Sequence, residues 1–288
     1  MSGDLPPDDW PGRAYSRIVP VAPHRWHVQS VGQGPDVLLL HGAGASTHSW
    51  ARLAPILAQG AHVIMLDLPG HGYTRSPRGR ARLSDVAPDI AALCAAEGWQ
   101  PRVVIGHSAG AAVALEMARS GVVTPDRIVA INGALEDFKG PAGVLFPMMA
   151  KLLALNPFSG FLTARGSNAE AQVRRIIAGT GSEIDDASLA LYARLIGRKA
   201  HVDGTLAMMA QWSLTDLNRA LPRIETPTLF LHGDRDAAVP LRVSERAAGL
   251  MPNASLTVLQ GLGHLAHEER PELIGRLIDD VMEELTAQ

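Results

Sequence analysis

Cysteine is nearly absent from this 288-residue chain, which contains Cys94 alone. A single cysteine cannot form an intrachain disulfide, and it cannot build an iron–sulfur cluster or a zinc site made of several thiolates. The histidine pairs in HRWH and HLAH lack a third ligand at the spacing that metal sites use. We therefore predict a protein that uses no bound metal and no other cofactor.

An excess of positive charge is also missing, because 26 Lys and Arg residues stand against 29 Asp and Glu residues, for a net charge of −3. This balance argues against a nucleic-acid-binding protein. No uninterrupted apolar run reaches the roughly 18 residues that would indicate a transmembrane helix. The acidic, proline-rich start MSGDLPPDDWPGR lacks the apolar segment of a secretory signal. These absences predict a cytoplasmic protein and leave peripheral contact with a membrane open.

Apolar residues are abundant, at 47% of the chain, which is enough for a large buried core. Short apolar runs, typical of strands buried on both faces, alternate with helical stretches. The predicted strands are 36–41, 62–66, 102–106, 127–131, 228–232 and 255–259, and the predicted helices are 50–59, 84–97, 108–119 and 271–284. This alternation predicts an α/β fold with a mostly parallel central sheet and helices on both faces.

The alternation stops between residues 135 and 221, where the sequence is helical and apolar without a strand-like run. We predict that residues 135–221, called the insertion below, form a helical lid over the sheet. Residues 1–134 would then be the first part of the core, beginning with an irregular arm over 1–24, and residues 222–288 would be the second part.

The motif Gly106-His107-Ser108-Ala109-Gly110 follows a predicted strand and opens an alanine-rich helix. G-x-S-x-G in this setting is typical of a nucleophilic serine on a sharp strand-to-helix turn, where glycines relieve crowding of the backbone. The helix N-terminus behind the serine favours developing negative charge. The context around the motif therefore predicts that Ser108 is a nucleophile.

A nucleophilic serine needs a base and an acid that orients the base. Asp236, in HGDRD after the strand at 228–232, is the predicted acid, and Asp234 is the weaker alternative, expected to support the turn. His264, in GLGH after the last strand, is the predicted base, with His267 as its competitor. The chain order Ser, Asp, His is the one that this type of fold uses.

Serine catalysis on an acyl group also needs backbone N–H donors for the developing oxyanion. The loop HGAGAS, after the first predicted parallel strand, is made of small residues that let its backbone approach a substrate closely. We predict that the N–H groups of Ala43 and Ala109 form the oxyanion hole.

Five motifs together, HGAGAS, LDLPGHG, GHSAG, LHGDRD and GHLAHEERPE, resemble the α/β-hydrolase fold superfamily of the compact type with a helical lid. Further stretches, from DWPGR near the start through LLALNPF, GTGS and HVDGTLAMMAQW in the insertion, resemble the magnesium-chelatase accessory proteins of bacteriochlorophyll biosynthesis. This closer resemblance implies a role beside magnesium insertion into protoporphyrin and contact with magnesium chelatase. It implies no particular reaction.

The substrate pocket is expected between the insertion and the core. Met208, Met209 and Trp212 lie on an apolar helix, and Phe146 begins a second apolar cluster that extends to Phe161. Because methionine adapts to irregular apolar ligands, we predict that these residues line a pocket for a bulky apolar substrate. The resemblance to the chelatase accessory proteins implies a tetrapyrrole as the candidate. Ordinary packing of the insertion on the core is the alternative for each of them. Four arginines of the insertion could meet the propionate carboxylates of a porphyrin, but we expect them to lie on a solvated surface; they are Arg165, Arg174, Arg175 and Arg198.

Together these features predict a serine hydrolase of the esterase type that uses Ser108, His264 and Asp236. Two alternatives stay open. The first is another reaction on a similar triad, such as hydrolysis of a C–C bond or a haloperoxidase-like activity. The second is a non-catalytic accessory protein that binds a tetrapyrrole and retains an idle triad.

Overall fold

The computed structural model describes residues 5–136 and 167–286. Eight strands form one sheet in the order β1-β2-β4-β3-β5-β6-β7-β8. The strands are β1 (Ser16–Val21), β2 (His24–Val31), β3 (Asp36–Leu40), β4 (His62–Leu66), β5 (Val103–His107), β6 (Arg127–Ile131), β7 (Thr228–Gly233) and β8 (Ala254–Leu259). The first two strands pair antiparallel, β2 runs antiparallel to β4, and every other pair is parallel. The predicted α/β fold class is therefore confirmed.

The described helices are α1 (Ala54–Leu57), α2 (Leu83–Glu97), α3 (Ala109–Ser120), α4 (Ser167–Gly179), α5 (Asp186–Ile196), α6 (Lys199–Gln211), α7 (Thr215–Ala220), α8 (Arg242–Leu250), α9 (Ala266–Glu269) and α10 (Pro271–Thr286). The predicted helix 50–59 is wrong in extent. Residues Thr47–Trp50 form a 3-10 turn, and α1 is short because Pro55 lacks the N–H that a longer helix would need.

Successive residues of a strand point to opposite faces of the sheet, so alternate residues of the central strands pack into two separate hydrophobic cores. Leu38 and Leu40 of β3 pack in the core that contains α2, α3 and α8. Val37 and Leu39 pack on the opposite face, in the core that contains α1 and α10. Each strand is thus buried on both sides, which explains why its sequence is continuously apolar.

The predicted irregular arm over residues 1–24 is wrong in part, because it contains β1. This strand lies at the edge of the sheet, where Pro20 is tolerated despite its missing N–H. Before it, Trp10 is buried against Tyr73 and against Leu195 of α5. The beginning of the chain therefore packs on both the core and the insertion.

Helices α4 to α7 belong to the insertion and lie in the chain between β6 and β7. The boundaries predicted for the core and the lid stay predictions. Within residues 5–136 and 167–286, no helix combines the length and the apolar character needed to cross a membrane.

Candidate active site

Ser108 stands on the turn between β5 and α3, with backbone angles φ 51° and ψ −113°. Such a positive φ is strained for a residue other than glycine, and it points the side chain away from both elements. Crowding around the turn explains its glycines: a Cβ on Gly106 would lie 2.4 Å from backbone atoms of Gly110, and one on Gly110 would lie 2.0 Å from the Leu40 carbonyl oxygen. The sequence motif therefore has a steric cause.

His264 connects Ser108 to Asp236. Its Nε2 lies 3.1 Å from Ser108 Oγ, and its Nδ1 lies 2.7 Å from Asp236 Oδ2. The backbone carbonyl of His264 accepts a hydrogen bond of 2.9 Å from Nε2 of His107, the neighbour of the serine. The competing His267 lies between Trp50 and His107, in tilted ring contacts with centroid distances of 4.5 and 4.4 Å.

The Asp236 carboxylate is fully buried and surrounded by donors. Its Oδ1 accepts the N–H groups of Ala238 and Val239, both at 2.8 Å, and its Oδ2 accepts Asn132 Nδ2 at 2.7 Å. Burial acts to raise the pKa of Asp236, but the neighbouring His264 and these hydrogen bonds outweigh it and lower the pKa below its ordinary value. Asp236 is therefore ionised at neutral pH.

Asp234, the alternative acid, is exposed and stands apart from these side chains. Its Oδ1 accepts the Gly261 N–H at 2.7 Å, which ties the loop after β7 to the end of β8. Asp67 likewise supports loops: its fully buried carboxylate accepts the N–H groups of Thr47 and Tyr73 and contacts His27 Nδ1.

The N–H groups of Ala43 and Ala109 were predicted to form the oxyanion hole. Ala109 begins α3 directly after Ser108, and Ala43 lies in the loop after β3, on the wall of the same cavity as the serine. Neither N–H donates to an acceptor within residues 5–136 and 167–286. Both donors are thus free for a ligand, and their catalytic role stays a prediction.

A cavity of about 100 Å³ opens beside Ser108 and His264. The insertion supplies its apolar wall, which includes Val173, Ile177, Ile196 and Val202. No arginine or lysine is found among the described residues that line it. Arg174 pairs with Asp186 at the surface, and Arg198 covers the Tyr73 ring at 4.1 Å. The cavity is therefore suited to an uncharged apolar group.

The residues predicted to line the substrate pocket do not meet in this cavity. Met208 and Trp212 are buried in the core beneath α3, and Met209 is buried without being part of the cavity wall. Phe146 and the cluster up to Phe161 lie outside the described residues. The apolar stripe of α6 was recognised from sequence, but Met208 and Trp212 pack into the core, and the residues of α6 that line the cavity are His201, Val202 and Thr205.

A segment of the insertion that was noticed only for its resemblance, GTGS, contacts the loops of both the acid and the base. The Thr180 carbonyl accepts the N–H groups of Ala237 (3.1 Å) and His264 (3.4 Å). Ser182 Oγ accepts the Leu265 N–H at 2.8 Å. Gly181 fits against the Arg235 carbonyl, where a Cβ would lie at 1.9 Å. Only the folded chain reveals this role, since nothing in the motif indicates its partner.

Histidines are concentrated around the site and are mostly buried. Burial, with the charges of neighbouring imidazoles, lowers the pKa of His107 well below its ordinary value and that of His267 to about 3. Both rings are therefore neutral at physiological pH. In the part of the chain that the structure describes, no group of three or more His, Cys, Asp or Glu side chains is placed to hold a metal ion.

An α/β hydrolase is defined by this sheet order, by the turn at Ser108 and by the contacts of His264 with Ser108 and Asp236. Residues 35–271 match the α/β hydrolase fold family, and the chain belongs to that family.

Over 280 residues, the chain is 44% identical to the magnesium-chelatase 30 kDa subunit of Rhodobacter capsulatus, covering 96% of this chain and 98% of that protein. It is 31% identical to the pimeloyl-[acyl-carrier protein] methyl ester esterase of Aromatoleum aromaticum, covering 86% of this chain and 98% of the relative. Among solved structures, the meta-cleavage product hydrolase of Pseudomonas fluorescens IP01 superposes with a TM-score of 0.78 at 18% identity, covering 93% of this chain and 98% of the other.

Proposed function

We propose that the protein is a serine hydrolase that cleaves carboxylic esters through Ser108, His264 and Asp236. The observation that carries the proposal is the position of His264, whose two ring nitrogens contact Ser108 Oγ and the buried Asp236 carboxylate. Because Asp236 is ionised, it holds a proton on His264 Nδ1. The lone pair of Nε2 therefore faces the Ser108 hydroxyl, as a general base requires.

The reaction follows from these positions. Ser108 Oγ attacks the ester carbonyl carbon while His264 Nε2 takes the hydroxyl proton, and the oxyanion that forms accepts hydrogen bonds from the N–H groups of Ala43 and Ala109. The C–O bond of the ester then breaks, and the imidazolium returns the proton to the leaving alkoxide. Water, deprotonated by His264, cleaves the acyl-enzyme and releases the acid and Ser108. One such N–H donor contributes about 2.7–4 kcal/mol to the transition state.

The described cavity limits what can reach Ser108. The described cavity, of about 100 Å³, is smaller than the cavities of about 150 Å³ that accommodate a molecule the size of benzene, so it has room for a short acyl chain. A tetrapyrrole substrate would keep its ring outside this cavity and present an ester on one of its side chains to Ser108. Its ionised carboxylates would also stay outside, because no cation is found among the described residues of the wall.

The relationship to the magnesium-chelatase subunit of Rhodobacter capsulatus supports a biological assignment. The proposal extends to an accessory role for magnesium chelatase in bacteriochlorophyll biosynthesis, with contact between the two proteins. The same relationship favours a second candidate function, a tetrapyrrole-binding accessory protein whose triad is idle, because the relative is called a subunit of the chelatase.

Labelling with a fluorophosphonate probe separates the two functions. The wild-type protein should be labelled and should hydrolyse p-nitrophenyl butyrate, whereas Ser108→Ala should lose both properties because the covalent route is gone. Ser120→Ala is the matched control, since Ser120 is exposed at the end of α3. A folded wild-type protein that is not labelled would favour the idle triad. In cells, metabolite profiles of Ser108→Ala and of a full deletion should agree if catalysis is what the pathway needs.

A further inference from the structure

The loop that carries the Ala43 N–H is held at both ends by histidine side chains. On the core side, Nδ1 of His41 lies 2.7 Å from the Gly42 carbonyl oxygen. On the side of the insertion, Nε2 of His201 in α6 lies 3.2 Å from the Gly44 carbonyl oxygen. Two imidazoles from different parts of the chain therefore flank one oxyanion donor.

The direction of each hydrogen bond can be assigned from the other ring nitrogen. The Gly72 N–H donates to His201 Nδ1 at 2.9 Å, so the proton of His201 must be on Nε2, which donates to the Gly44 carbonyl. The Leu68 N–H donates to His41 Nε2 at 2.9 Å, so Nδ1 of His41 donates to the Gly42 carbonyl. Both rings are neutral, because burial lowers their pKa values, that of His41 to about 3.

The hydrogen bonds from His41 and His201 constrain a short, glycine-containing backbone segment, Gly42 to Gly44. The Gly42 carbonyl and the Ala43 N–H belong to the same planar peptide unit, so the bonds that this carbonyl accepts from His41 Nδ1 (2.7 Å) and from the Ala45 N–H (3.1 Å) orient the oxyanion donor. Gly44 follows with φ 80°, and a glycine at this position can rotate readily. Holding the Gly44 carbonyl removes that freedom, and the group that holds it is His201.

Close packing of backbones keeps α6 in the position from which His201 reaches the loop. One turn of helix after His201, Gly204 lies against Gly70, and a Cβ on Gly204 would lie 2.1 Å from the Gly70 carbonyl oxygen. Thr205 Oγ1 donates to the His201 carbonyl at 2.9 Å within the same helix. The ring of His201 also contacts that of His71, with centroids 5.5 Å apart.

We propose that His201 is a positioning residue, supplied by the insertion, that holds the oxyanion loop in its productive shape, so that full activity requires α6 to be seated on the core. This inference rests on the proposed esterase function and adds a specific role for the insertion within it. His201 touches no reacting atom in this scheme. It acts through the Gly44 carbonyl on the orientation of the Ala43 N–H.

The test compares wild type with His201→Ala and His201→Gln. Glutamine can accept the Gly72 N–H and donate to the Gly44 carbonyl, whereas alanine can do neither. With p-nitrophenyl butyrate, we expect kcat of His201→Ala to fall by about 10–100-fold, which is less than the 10²–10³-fold loss typical of a removed donor. KM should stay within about twofold of wild type, because the oxyanion exists only in the transition state. His201→Gln should recover most of the lost kcat. Leu206→Ala, at an exposed position of α6, is the control and should behave like wild type.

A tetrahedral transition-state mimic provides the second readout. The inhibition constant of a trifluoromethyl ketone, which forms an oxyanion on Ser108, should rise in His201→Ala by the same factor by which kcat/KM falls. Unchanged kcat and inhibition constant in a His201→Ala protein of lower Tm would overturn the proposal, since the residue would then serve packing alone. Equal losses in the Gln and Ala variants would also contradict it. A wild-type protein that resists the fluorophosphonate probe would instead refute the esterase function itself.

Discussion

The loops at the strand ends and the helices of the insertion build the two sides of the same cavity in different ways. On the sheet side, Ser108, His264 and Asp236 are joined by hydrogen bonds of 3.1 and 2.7 Å that end in a buried charge. On the side of the insertion, the wall is largely apolar, and the groups that contact the loops of the site, Thr180 and His201, are neutral. Under the proposed function, the sheet would carry the chemistry, and the insertion would control access and alignment.

The two regions are nevertheless not independent, because the insertion contacts each catalytic loop through its backbone. The Thr180 carbonyl lies between the loop of Asp236 and the loop of His264, and His201 contacts the oxyanion loop. Substitutions in one region at a time can show whether the sheet side determines the reaction and whether the insertion determines access to the cavity.

The largest effect should come from the charge on the sheet side. Asp236→Asn removes the anion that holds the His264 proton on Nδ1, and the amide can stabilise the wrong tautomer of the imidazole. We expect kcat to fall by roughly 10⁴-fold, as in other triads, with little change in KM. Steady-state hydrolysis of p-nitrophenyl butyrate measures both constants.

Asp234→Asn is the matched control for that variant, because it makes the same change two residues away. Asp234 holds the Gly261 N–H, so its replacement should lower Tm slightly and leave kcat within a few-fold of wild type. If Asp234→Asn were the more damaging of the two for kcat, the assignment of the acid within HGDRD would be wrong.

A smaller effect should come from narrowing the apolar wall on the side of the insertion. Val202 of α6 lines the cavity, and Val202→Phe adds volume where the acyl chain would lie. One methylene in an apolar pocket changes specificity by about 10–200-fold. We therefore expect kcat/KM for p-nitrophenyl hexanoate to fall within this range, while that for the acetate changes little.

The same substitution at an exposed position far from the cavity, Val122→Phe, should leave the chain-length profile unchanged. A uniform loss over all chain lengths in Val202→Phe would mean that α6 has been displaced. The insertion would then act through alignment rather than through the size of the cavity.

The effect expected to be smallest on activity concerns stability at the junction between the two regions. Glu268 follows the base loop, and the Tyr192 hydroxyl of α5 donates to its Oε1 at 2.6 Å. Burial, reinforced by the charges of Asp185 and Glu269, raises the pKa of Glu268 from 4.5 to about 8 in spite of the bond from Tyr192. Between these two values the folded chain binds more protons than the unfolded chain, so the free energy of unfolding should fall as pH rises and level off above pH 8.

Glu268→Gln keeps the acceptor for Tyr192 and removes the titration. The Tm of Glu268→Gln should vary less than that of wild type between about pH 5 and pH 9, a range that extends about one unit beyond the upper pKa. Near pH 9, Glu268→Gln should be more stable than wild type. Glu272→Gln, at an exposed position of α10, is the control. Parallel Tm profiles for wild type and Glu268→Gln would show that the carboxyl titrates normally.

Local patterns were sufficient for much of the sheet. The predicted strands 62–66 and 127–131 agree with β4 and β6 residue for residue, because a strand covered on both faces needs an uninterrupted apolar run. Strands β1 and β2 were missed. Half-exposed residues and Pro20 interrupt the apolar run of β1, and polar residues such as Arg25, His27 and Gln29 interrupt that of β2. The motif around Ser108 was equally predictable from sequence, because the surrounding backbone leaves no room for a side chain at its two glycines.

Local sequence patterns were enough to predict the turn that presents Ser108 and the loops that carry Asp236 and His264, because each motif spans only a few neighbouring residues. The α/β class followed from the alternation of strands and helices along the chain. The packing of the folded chain was needed to show which histidine reaches the serine, which face of α6 meets the cavity, and that Thr180 and His201 contact the loops of the site. These contacts join residues more than 50 positions apart, from Thr180 to Ala237 and from Gly44 to His201. Which residues meet in these contacts depends on how the helices pack on the sheet, and local sequence periodicity does not predict that packing.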